Sequence, residues 1–81
     1  MGQIANNQVF KGSINTGIRQ VTLPTGASAT LQAGTENAAG TEVWVDVPDG
    51  ALVGPTSITM NAAPNQAYRL SAMVGGPCWI D

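Results

Sequence analysis

The sequence predicts an all-β fold, a small antiparallel β-sandwich or barrel of about seven or eight short strands. Three observations predict it. Turn-forming residues punctuate the 81-residue chain at 15–17, 24–26, 37–40, 48–50, 54–55, 61–65 and 75–77, which leaves room for strands but not for long helices. Between these turns, β-branched and aromatic residues alternate with polar ones at a period of two. No window free of Gly and Pro carries an apolar stripe at the helical period.

Taken in order, residues 1–7 are polar and read as an extended arm, and 8–81 form a single β domain. Strand 8–14 carries the β-formers Val9, Phe10 and Ile14. Ile18–Leu23 sets Val21 and Leu23 on one face, with Arg19 at the same parity. Strand 28–33 turns Ala29 and Leu31 inward. Strand 42–47 places Val43, Val45 and Val47 on one face, opposite Trp44 and Asp46. Pro48-Asp49-Gly50 then reads as a turn, because Pro presets φ and Gly accepts a left-handed position. It separates 42–47 from a short strand at 51–53. Strand 56–60 puts Ile58 and Met60 opposite Ser57 and Thr59. Ala67–Val74 aligns Tyr68, Leu70, Ala72 and Val74 against Arg69, Ser71 and Met73, and Cys78–Ile80 closes the chain. The rival local structure is one helical turn over 35–40, where Ala38 and Ala39 favour helix.

Composition narrows the function. Charged residues are 10% of the chain, against about 25% in ordinary soluble domains. The three cations are scattered, too few for a nucleic-acid face, so no nucleic-acid partner is expected. With no His and one Cys, the chain cannot build a His-based triad, a His metal site or an intrachain disulfide. No cofactor is expected. Residues 1–7 lack a basic and apolar leader, Asn6 stands where a myristoylation motif wants Ser or Thr, and no apolar run reaches the length of a membrane span. No membrane partner is expected, and a single free Cys fits a reducing cytoplasm. A chain this short buries a smaller share of its surface than larger domains do, so its core is marginal. With disulfides and zinc excluded, association with protein partners is the remaining means of support, and the sparse charge suits a surface covered by neighbours.

The catalytic candidates are weak. Glu42 and Asp46 flank Trp44 on one strand face, an arrangement that suggests glycosidase chemistry. However, i and i+4 on a strand lie about 13 Å apart, beyond the separation either glycosidase class uses. Cys78 has no His and no neighbouring cation to lower its pKa, and reads as a small buried hydrophobe. The glycines fit no phosphate-binding loop, and Asp46 and Asp49 lack EF-hand spacing. An enzyme is therefore not expected. Trp44 faces outward or toward a partner if the valines are core, and is itself core if that parity is inverted. Trp79 and Ile80, close to the C-terminus, dock into their own core or reach a neighbour. Trp44, Trp79 and Ile80 are the candidate interface residues.

In composition and rhythm the chain resembles the small all-β virion proteins of double-stranded DNA bacteriophages, of the capsid decoration or cement type. The segments Ile18-Arg19-Gln20-Val21-Thr22-Leu23, residues 33–43 and Gly75-Gly76-Pro77 carry the likeness. The resemblance implies a non-enzymatic subunit, assembled in the host cytoplasm and resident in the virion, that stabilises neighbouring shell subunits. Its partners would be the major shell subunit or further copies of itself, with a trimer as one implied form. The acidic balance favours an outer or seam position over one lining DNA. Two alternatives are a minor tail protein and a carbohydrate- or receptor-binding module of a tail tip, the latter using Trp44, Tyr68 and loop Asn residues.

Overall fold

The computed structural model describes residues 2–11, 17–36, 38–61 and 66–81, without the side chain of Glu36. These residues are all-β, with eight strands among them in two antiparallel four-stranded sheets. They are β1 (Gly2–Ile4), β2 (Phe10–Lys11), β3 (Ile18–Leu23), β4 (Ser28–Glu36), β5 (Glu42–Val53), β6 (Thr56–Asn61), β7 (Ala67–Val74) and β8 (Cys78–Ile80). The front sheet has the order β1-β8-β3-β6 and the back sheet β2-β7-β4-β5. Every connection crosses between sheets except β4 to β5.

The alternation read from the sequence builds the core. Val21 and Leu23 of β3, Ile4 and Cys78 of the front sheet, and Ala29, Leu31, Leu52 and Leu70 of the back sheet are buried against one another. Ile58, Met60 and Ile80 pack on this cluster at half burial. No polar residue among those described is buried. Phe10 stacks on Tyr68 across β2 and β7, with ring centroids 5.9 Å apart and planes 26° from parallel. Arg19 comes from the front sheet to lie 5.9 Å from the Phe10 ring, and its Nε is buried without a hydrogen-bond partner.

The structure corrects several details. Pro48-Asp49-Gly50 does not divide two strands. Thr30 pairs with Ala51 and Gln32 with Asp46, so residues 47–50 bulge opposite Leu31 within one long β5. Asp49 takes the left-handed φ of 59° that was expected of Gly50. Gly50 is fixed by crowding instead: a Cβ there would lie 2.7 Å from the carbonyl oxygens of Leu31 and Val47. In β7 a second irregularity falls between its pairings with Thr30 and Ser28, where Ala72 has a φ of 54°. The extra residue reverses the parity, so Met73 packs on the core and Val74 is exposed. The expected arm is partly built into the sandwich. Gly2–Ile4 pairs with β8 because Ile4 can bury its side chain completely. Of the strand expected over 8–14, Phe10–Lys11 is strand and residues 8–9 are not, while 12–14 lie outside the described residues. Strand β4 runs on to Glu36, so no helical turn forms over the described part of 35–40.

Candidate interaction surfaces

Strand register assigns each candidate side chain to a face, because paired residues project on the same side of a sheet. In the back sheet, Leu31, Ala33 and Thr35 share the inner face. Val45 pairs with Ala33 and Val43 with Thr35, so both valines project inward, as the alternation predicts. They are nevertheless 56% and 46% exposed. The front sheet does not cover this end of β5, and only Val47 of the three packs on the core. Strand β5 is also the edge of its sheet.

Trp44 pairs with Gly34 and projects from the outer face, with Glu42 and Asp46 at the same parity. Glycine at 34 leaves space for the indole to lie down. A Cβ there would come 3.0 Å from Trp44 Cη2 and Cζ3 and would collide with Glu42 Oε2. The Arg69 guanidinium carbon sits 4.3 Å from the indole centroid. Arg69 Nε donates to Gln32 Oε1 at 2.8 Å, and Gln32 Nε2 donates to Asp46 Oδ1 at 2.8 Å. This polar ladder crosses β7, β4 and β5. Trp44 is thus half-buried on an outer face, held by a cation–π contact rather than by the core. Farther along the same face, Val53 and Val74 flank Ser28 and are 71% and 63% exposed.

The C-terminal candidates separate. Ile80 pairs with Val21 and faces the core, whereas Trp79 pairs with Gln3 and Thr22 and projects from the outer face of the front sheet. Ser57 continues that row next to Thr22. Its hydroxyl accepts from Gln20 Nε2 at 3.0 Å and lies 3.2 Å from Thr22 Oγ1. Trp79 therefore lies half-buried on a flat field of hydroxyls and amides. Tyr68, in contrast, faces inward on Phe10.

Cys78 is fully buried, and burial pushes its thiol pKa up, away from the range of a reactive thiolate. Among the described residues, no three His, Cys, Asp or Glu side chains group as a metal site. Among the same residues, no helix is long and apolar enough to cross a membrane. No family model matches the chain, and neither a curated protein nor a solved structure is significantly similar to it.

The outer location of Trp44 follows from the alternation in β5. What the sequence did not disclose is that the inward valines stay uncovered, because their cover belongs to the opposite sheet.

Proposed function

We propose that the protein is a non-enzymatic structural subunit of a large assembly, of the kind that decorates or cements a bacteriophage shell in the virion. One observation carries the reading: the apolar surface left open is concentrated on an edge strand. Of the six large hydrophobic residues exposed among those described, Val43, Val45 and Val53 lie on β5. Exposed apolar surface beside a free sheet edge favours a protein neighbour. The sparse charge and the thin core fit the same reading. The test is co-sedimentation of the purified chain with shells built from major capsid subunits encoded beside its gene, followed by electron microscopy. Saturable binding at fixed shell positions supports the proposal, and a chain that stays in the supernatant overturns it.

The outer face of the front sheet favours a second reading, a carbohydrate-binding module of a tail tip. An indole on a flat polar sheet can stack on a sugar ring while Thr22, Ser57, Gln20 and Gln3 meet its hydroxyls. The contact residue in this reading is Trp79, since Tyr68 is engaged inside. Glycan-array binding lost in Trp79→Ala and retained in Trp44→Ala would establish it.

A further inference from the structure

Resting on the assembly reading, we propose that β5 over residues 42–47 is a docking edge for an extended segment of a partner chain. That segment would add as an antiparallel or parallel fifth strand to the back sheet, with alternating basic and apolar side chains. Three observations define the occupant. The first is the open ladder. Strand β5 borders β4 on one side and no described strand on the other, so half of its backbone N–H and C=O groups point away from the sheet. The other back-sheet edge, β2, has two described residues.

The second is the apolar inner row. Val43 and Val45 project toward the side where a front sheet would lie, but nothing among the described residues buries them. A strand laid beside β5 would place its own inward side chains against these valines, and the pair rows would then shield each other. The third is charge. Glu42 and Asp46 stand on the outer face of the same stretch; Arg69 of β7 lies over Trp44 between them, while Lys11 and Arg19 belong to β2 and β3, so the face carries two acids against one cation. Lysine or arginine on the outward positions of the incoming strand would meet two carboxylates.

The same charges disfavour one way in which a second copy of this chain could pair here, and sedimentation tests the others. In the self-complementary antiparallel register centred on Trp44, Glu42 faces Asp46 of the other copy at both ends. Like charges directly opposite on a sheet are destabilising. The strand-addition mode also fits a surface without a deep cleft, because main-chain hydrogen bonds supply affinity and the alternating side chains supply specificity.

The probe is a blocked synthetic peptide of about seven residues, alternating lysine and valine, long enough to lie along 42–47 at ~3.4 Å per residue. Amide NMR should show shifts and slowed hydrogen exchange at alternate residues of 42–47. An isomer with glutamate for lysine should bind at least about tenfold more weakly. Val45→Lys, which guards the edge with a charge, should abolish binding while leaving the rest of the amide spectrum unchanged. Val43→Lys is the substitute if that variant does not fold. Binding elsewhere on the surface, no binding, or equal binding of the two peptides overturns the proposal. So does sedimentation showing a dimer that Val45→Lys dissolves, since the occupant is then a second copy. The outcomes are separable from the assembly reading. Shells that capture wild type and Val45→Lys equally refute the docking edge alone, and shells that capture neither refute the assembly reading while the peptide result stands.

Discussion

At the scale of residues, Trp44, Gly34 and Arg69 form a unit whose cost of removal is distinguishable from that of a core residue. Trp44 contributes a cation–π contact and cover over the β4 backbone, without belonging to the central cluster. Trp44→Ala should therefore fold and lose about 1–2 kcal/mol in urea denaturation. Leu70→Ala, at a fully buried position, should lose about 2–5 kcal/mol. Gly34→Ala should force the indole outward and red-shift its emission, because the new methyl would sit within 3.0 Å of two ring carbons. Cys78 supplies a pH test. Burial raises its pKa in the folded state, so the folded chain holds the thiol proton where the unfolded chain releases it. Its contribution is constant below the ordinary thiol pKa of about 8.5. Stability should then fall as pH climbs above that value. Cys78→Ala should flatten that slope, and the native thiol should resist alkylation until the chain unfolds.

At the scale of elements, the two irregularities in β5 and β7 decide which side chains face out. Asp49 occupies a left-handed φ of 59° inside the β5 bulge. Asp49→Gly should accordingly stabilise the domain by up to about 1 kcal/mol, because relief of the left-handed conformation exceeds the added freedom of the unfolded chain. Gly50→Ala should destabilise it by more than ~2 kcal/mol, since the obstructing atoms are backbone oxygens that cannot rotate away. Paired thermal melts of the two variants read the opposite signs directly. These irregularities also mark the limit of what the sequence discloses. Period-two alternation located the strands and placed Val21, Leu23, Ala29 and Leu31 inside, because a half-buried strand advertises its own face. It failed at Val74, where the extra residue Ala72 reverses every later side chain. Pro48-Asp49-Gly50 is equally good chemistry for a turn and for a bulge, and the choice is made by pairing with β4, which is not a local property. Trp79 follows the same logic: its outward parity is set once Cys78 is inside, yet its polar surroundings come from β1, β3 and β6.

At the scale of the whole molecule, size and shape are unexceptional and the surface chemistry is not. The radius of gyration of 12.2 Å and accessible surface of 4680 Å² are near what a compact monomer of this length gives, ~12 Å and roughly 4,600 Å². The core beneath that surface contains two alanines and a cysteine among its ten buried members, so little large apolar volume is enclosed. A sandwich with such a core, and with valines left outside it, should melt alone within the ordinary range of about 45–65 °C. Its stability should then depend on occupancy of the open edge. A ligand that binds the folded state alone adds about 2.7 kcal/mol at one hundred times its dissociation constant. For a domain of this length, that corresponds to a rise in melting temperature of about 10–20 °C. The lysine–valine peptide should produce this rise in wild type in proportion to the logarithm of its concentration. Val45→Lys should melt at nearly the wild-type temperature without peptide and show no rise with it. A wild-type midpoint above ~80 °C that is indifferent to the peptide would show that the sandwich is complete by itself, and that the open valines are a tolerated exposure and not a place for a neighbour.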